Sequence, residues 1–195
     1  MTKNSNPSRV LVTADHHFGH AGILRMGRAH FGDIDTHDEM LVTAWNAAVR
    51  PGDEVWHLGD FCYRCPPERA ARIFARLNGT KRLVVGNHDR GARHLSWASQ
   101  HEGFVDTVIE GQRVTLCHYP MRAWAGAFRG SWHLFGHTHG LLEDSSQSCD
   151  VGVDRWGYRP ATVAEIRARL AATDTLPEER RRAAEREAGE GDGAD

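Results

Sequence analysis

The sequence predicts an α/β fold built on a largely parallel sheet, and three observations lead there. Apolar runs of strand length alternate with segments of helical period through the first half of the chain. Five such runs end in a polar cluster: Asp15-His16-His17, Gly59-Asp60, Gly86-Asn87-His88-Asp89, His118, and Gly136-His137-Thr138-His139. Histidine is also in excess, with 13 in 195 residues, and much of it gathers at these clusters. An open α/β sheet builds one site from polar residues just beyond the ends of its strands, so the clusters and the fold support each other.

Taken in order, residues 1–8 are polar and lack the apolar core of a signal peptide. Arg9 to Ala14 reads as a buried first strand, and Asp15-His16-His17 follows its end. Phe18 to Asp35 is expected to be loop, with one helical turn near Ile23 to Met26. Thr36 and Glu39 have capping-box spacing, and Pro51-Gly52 closes a helix whose apolar stripe is Leu41, Ala44, Trp45, Ala48 and Val49. Asp53 to Leu58 is a second strand leading into Gly59-Asp60. Pro66-Pro67 opens a helix with Ala70, Ile73, Phe74 and Leu77 inward, ending near Asn78-Gly79. Arg82 to Val85 is the third strand and runs into Gly86-Asn87-His88-Asp89.

The second half changes character. Phe104–Ile109 and Gln112–Cys117 flank Glu110-Gly111 as an antiparallel hairpin, with His118 at its end. Met121 to Ser131 reads as a mobile, partly aromatic loop, Trp132 to Phe135 as a strand, and Cys149 to Val153 as a last short strand. Thr162 and Glu165 cap a helix through about Leu170. From Thr173 onward Glu, Arg, Ala and Gly dominate, and a flexible charged tail is expected over 173–195. One domain over 9–172 accounts for the rest.

Composition bounds the function. A net charge of −2 offers no electrostatic reason for sequence-independent nucleic-acid binding. No apolar run approaches the roughly 18 residues of a membrane span, so a cytoplasmic location is expected. Cys62 and Cys65 have zinc-like spacing, but no second pair completes a tetrad, and they are read as reduced loop thiols.

The clusters have the chemistry of a metal centre. Side chains two apart on an extended segment point the same way, so Asp15 and His17 can share an ion, and His137 and His139 stand in the same relation. Asp60 can bridge two ions through its two oxygens. With Asn87 and His118 the set reaches seven, too many for one tetrahedral zinc. Two ions roughly 3.5–4 Å apart account for them.

In this order and spacing the five motifs resemble those of the calcineurin-like metallophosphoesterases, over residues 9–170. Asp15 to His20, His118-Tyr119-Pro120 and Val151-Gly152-Val153-Asp154 resemble more narrowly the small bacterial and phage branch of that family. The resemblance implies a two-sheet sandwich flanked by helices in four layers, αββα, with metals at the strand ends. It implies that Asp15, His17 and His139 hold one divalent ion, that Asn87, His118 and His137 hold the other, and that Asp60 bridges them. His88 is then the general acid, oriented by Asp89, and the nucleophile is a hydroxide bridging the metals. Manganese is the expected metal, with iron, zinc, nickel and cobalt as alternatives that such ligands also suit.

Asn87, His16, His20 and Arg122 are the candidate substrate contacts, with Arg90 a further candidate phosphate clamp. His57 is expected to support the site from within the sheet, while His30, His37, His94 and His101 are expected on the surface. The expected activity is hydrolysis of phosphodiesters, and of phosphomonoesters too, in a small phosphoester or nucleotide. Two alternatives stand beside it. One is a nuclease for DNA or RNA ends or single strands, hinted at only by Arg122, Trp124, Phe128 and Arg129; the other is a metal-binding scaffold for protein interaction. No obligate protein partner and no membrane attachment are expected.

Overall fold

The computed structural model describes residues 7–191, so part of the polar N-terminal segment (1–6) and the end of the expected tail (192–195) lie outside the described residues. Two sheets form the frame. In the first, β1 (Val10–Thr13), β2 (Glu54–His57), β3 (Thr80–Val84) and β4 (Ser99–His101) run parallel, and β9 (Ala161–Thr162) pairs antiparallel with β1, giving the order β4-β3-β2-β1-β9. In the second, β5 (Phe104–Ile109) and β6 (Gln112–Cys117) are antiparallel. They are followed in parallel by β7 (Trp132–Phe135) and β8 (Ser148–Asp150). The hairpin between β5 and β6 turns on Glu110 and Gly111, whose φ values of 47° and 80° match the positive-φ pair of a type I′ turn.

The period-2 alternation of the strands divides the core. Leu11, Val55 and Leu83 face one way, packing with Leu41, Trp45, Ile73 and Phe74 of helices α1 (Ile34–Ala48) and α2 (Pro67–Arg76). Val12, Trp56 and Val84 face the other way and meet Val114, Leu116, Trp132 and Leu134 of the second sheet. Ile166 and Leu170 of α3 (Val163–Ala171) close that second core. The result is the expected two-sheet sandwich flanked by helices. Among the described residues, no helix is long and apolar enough to cross a membrane.

Register carries the architecture to the site. Thr13 pairs with His57 and His57 with Leu83, so β1, β2 and β3 end level and their polar clusters emerge side by side. Leu116 pairs with Leu134 and Leu134 with Cys149, which does the same for His118 and His137. A bridge between Ala14 and Gly152 joins the sheets at this edge.

Three local expectations are corrected. Helix α1 begins a turn early because Asp33, not Thr36, is its N-cap: the Asp33 carboxylate accepts from the Asp35 and Thr36 amides at 2.9 and 2.8 Å. The loop 121–131 is tied down rather than loose. Its Trp124 is buried and donates to the Ser131 carbonyl, and Gln147 donates to the carbonyls of Ala127 and Ser131. Glu178–Gly191 is helix (α4) where composition predicted a flexible tail with at most transient helix over 178–188. Its good helix formers, an Arg181–Glu185 pair at i,i+4, and anchors from Glu178 to Arg122 and Arg180 to Gln147 replace the missing apolar face.

Candidate metal centre

The strand ends deliver the expected residues to two adjacent groups. Asp15, His17 and His139 form one, and Asp60, His118 and His137 the other; within each group the ligand-type atoms lie within 4.8 Å of one another. Asp60 Oδ2 is 3.7 Å from His17 Nε2 and 3.5 Å from His118 Nε2, so one carboxylate oxygen faces both groups. Asn87 Oδ1 lies 2.9 Å from His118 Nε2 and joins the second. His137 and His139 fall in different groups, as the family resemblance implies and not as extended-strand spacing alone suggests.

Asp15, His17, Asp60, His137 and His139 have φ of 60°, 53°, 59°, 69° and 48°, in the left-handed region that side-chain-bearing residues avoid. Each such residue costs on the order of 1–3 kcal/mol, and strain of this kind gathers where a site demands it. The motif glycines serve close approach. A Cβ on Gly86 would stand 2.4 Å from Asp60 Oδ1, and one on Gly136 would stand 2.6 Å from Asp15 Oδ2.

The donor set fits divalent cations on its own chemistry. His118 Nδ1 donates to the Leu58 carbonyl at 2.7 Å, leaving the Nε2 lone pair toward the oxygens of Asp60 and Asn87. His139 Nδ1 donates to Asp154 Oδ2 at 2.8 Å, leaving its Nε2 toward Asp15 and His17. Fixing one ring nitrogen to present the other is how metal-ligating histidines are oriented. Asp15 Oδ1 and both ring nitrogens of His17 are buried without a hydrogen-bond partner. Burial, followed by the charges of Asp150 and Asp60, pushes the Asp15 carboxyl well above its usual range. A buried cluster of acceptors with no donor is costly unless a cation sits among them.

Support for the cluster comes from residues that sequence reasoning missed. Arg28 is fully buried, forks onto Asp154 through Nε and Nη2 at 2.8 and 2.7 Å, and donates to the carbonyls of Asp15 and His16. Burial opposes the Asp154 charge, but hydrogen bonds from His139 and Arg28 hold its pKa at about 2. His37, expected on the surface, is instead buried against Arg28 and Asp38. Arg28→Ala is expected to destabilise the fold by about 3–5 kcal/mol, because it strands Asp154 and two carbonyls, and to loosen His139. Urea denaturation measures the first effect. Arg28→Lys should not rescue it, since an ammonium cannot supply the fork.

The other predicted site residues divide. His88 is half-buried, its ring 4.1 Å from that of Tyr63 and 5.6 Å from that of His17. Its backbone N–H donates to Asp60 Oδ1 at 2.8 Å. His20 also reaches the site, 5.3 Å from His17 and 4.8 Å from Tyr63 between ring centres. Asp89 does not orient the His88 ring. Its carboxylate accepts from the amides of Asp60, Phe61 and Gly86 at 2.7, 2.8 and 2.7 Å, so it fixes the turns instead. His16 is corrected too: it is fully buried on Phe18 and Trp45, with Nδ1 2.9 Å from His57 Nε2, out of reach of any substrate. Arg122 is directed to Glu178 at the start of α4 and not to the cluster.

Five buried histidines, His16, His17, His57, His118 and His133, have pKa values pushed down, chiefly by burial; that of His57 falls to about 3 and that of His133 to about 4. A histidine that stays neutral when folded but titrates near 6.5 when unfolded stabilises the protein fully above 6.5. That contribution is lost as pH falls toward the folded pKa, by up to ~1.4 kcal/mol per pH unit for each group. Asp15 and Asp89, whose carboxyls burial pushes up, act in the opposite sense, but they are two groups against five. Thermal melting of chelator-treated protein should therefore fall steeply between pH 6.5 and 4. A flat profile there would contradict the burial of these rings.

Residues 29–154 match the calcineurin-like phosphoesterase superfamily domain. The chain belongs to that superfamily. It is 38% identical over 183 residues to the gene 66 protein of Mycobacterium phage D29, covering 76% of this chain and 89% of that protein. It is 26% identical over 163 residues to an uncharacterised protein of Methanocaldococcus jannaschii, covering 80% of this chain and 87% of the relative. A solved protein of unknown function from Aquifex aeolicus shares the fold, with a TM-score of 0.66 at 22% identity over 82% of this chain and 98% of its own. Calcineurin-like phosphoesterases use divalent metals, and the two His/Asp groups are this member's candidate sites for them.

Proposed function

We propose that this calcineurin-like phosphoesterase is a dinuclear metal-dependent phosphodiesterase that also accepts phosphomonoesters. In this reading Asp15, His17 and His139 hold one ion, Asn87, His118 and His137 the other, and Asp60 both. The observation that carries it is the position of Asp60 Oδ2, facing a ring nitrogen of each group. Two divalent ions, manganese by expectation, would supply Lewis acidity toward phosphoryl oxygens and a water that ionises near neutral pH.

The remaining work falls to the chain. Asn87 contributes a neutral oxygen beside the phosphate position, where a carboxylate would repel the substrate. His88 is packed against Tyr63 at the rim of the cluster, and a ring nitrogen there gives its proton to the departing oxygen. The left-handed backbone at five ligand positions preorganises the donors, so little rearrangement accompanies the reaction. Burial of Trp124 removes one of the two aromatic rings on which the single-strand nuclease alternative leaned, while Phe128 stays exposed.

The test is hydrolysis of bis-p-nitrophenyl phosphate and p-nitrophenyl phosphate by metal-stripped protein, with manganese, iron, zinc, nickel or cobalt restored in turn. Turnover should vanish on stripping, return with metal, and favour the diester. Turnover indifferent to stripping, or none with any metal, would overturn the proposal.

A further inference from the structure

A cleft of about 520 Å³ opens directly beside Asn87 and His88, and Tyr63, Arg64, Arg90 and His94 contribute to its walls. No carboxylate lines it. Arg64 lies over the Tyr63 ring at 5.1 Å, on a backbone held at φ 52°. Among the described residues neither Arg64 nor Arg90 is in an ion pair, whereas the nearby Arg69, Arg76 and Arg93 are each matched to acids. Two unmatched guanidinium groups beside one cleft make a positive wall that no carboxylate among its lining residues neutralises.

The cleft's side of the site matters. The group that departs from phosphorus takes its proton from His88, so whatever occupies a cleft bordered by His88 belongs to the leaving group. We propose that this cleft is a leaving-group subsite for a second anionic group. The substrate is then a phosphodiester whose leaving alcohol carries its own phosphate, as in an oligonucleotide end or another bisphosphorylated diester. This rests on the phosphodiesterase reading and narrows it. The arginines fork onto the distant phosphate, Tyr63 offers an aromatic face between the two anionic positions, and the reacting phosphate stays at the metal groups.

Calorimetry on the metal-loaded protein tests it, with thymidine 3′,5′-bisphosphate against thymidine 3′- and 5′-monophosphates, all as methylene-phosphonate analogues that a phosphomonoesterase cannot cleave. Wild type should bind the bisphosphate roughly tenfold or more tightly than either monophosphate at low salt, as one charge-assisted contact warrants. The preference should shrink as salt is added, because both arginines are exposed. In Arg64→Ala/Arg90→Ala, shown by its melting temperature to be folded, the preference should collapse; Arg64→Lys/Arg90→Lys should keep part of it. Equal affinities in wild type, or an undiminished preference in the alanine variant, would overturn the subsite. Binding needs no turnover, so the two proposals fail separately. Intact hydrolysis of bis-p-nitrophenyl phosphate without bisphosphate preference removes only the subsite, and the converse removes only the activity.

Discussion

Asp60→Asn should lower metal-dependent turnover by on the order of 10³-fold or more, and should raise the melting temperature of the metal-free protein. The first effect follows from geometry: Asp60 Oδ2 is the atom that faces both groups, and an amide lacks the charge to hold two cations. The second follows from electrostatics. Asp15 is buried, and the Asp60 charge is among the causes that push its carboxyl upward, so removing that charge relieves the folded state. The remaining amide oxygen still accepts from the His88 N–H. For a chain of this size each kcal/mol regained appears as roughly 2–4 °C. Added metal should then stabilise wild type strongly and the variant weakly. Turnover within tenfold of wild type, or a variant less stable than wild type in chelator, would contradict this assignment.

His88→Gln should separate substrates by their leaving groups. A thymidine dinucleotide releases an alkoxide that needs a proton, so its hydrolysis should fall by about 10²–10⁴-fold. Bis-p-nitrophenyl phosphate releases a phenolate stable without one and should lose far less. Steady-state rates on both substrates check this directly; equal losses would show that His88 acts through structure or metal binding and not as an acid. Because Asp89 spends its carboxylate on three backbone amides, Asp89→Asn should damage stability more than it changes this leaving-group dependence.

Much of this was legible in the sequence because its signals are local. An apolar run followed by Asp, Asn or His marks a strand end, and strands in register place such ends together, so all seven expected ligands converge. Thr162 and Glu165 form the capping box their spacing predicts. What stayed hidden depends on long-range contact or on backbone sign. Arg28 meets Asp154 across 126 positions, and nothing around Arg28 in the chain marks it as buried. His16 and His17 are neighbours in identical composition, yet the left-handed turn at Asp15 and His17 sends one ring into the core and the other to the site. For Asp154 a signal was available, since it closes Val151-Gly152-Val153-Asp154, and its role became clear only with His139 Nδ1 beside it.

The most direct test of the account is anomalous diffraction from crystals grown with manganese. Two peaks are expected, one among Asp15, His17 and His139 and the other among Asn87, His118 and His137, with Asp60 touching both. A single peak, or two peaks without Asp60 between them, would contradict the dinuclear centre on which the proposed function rests.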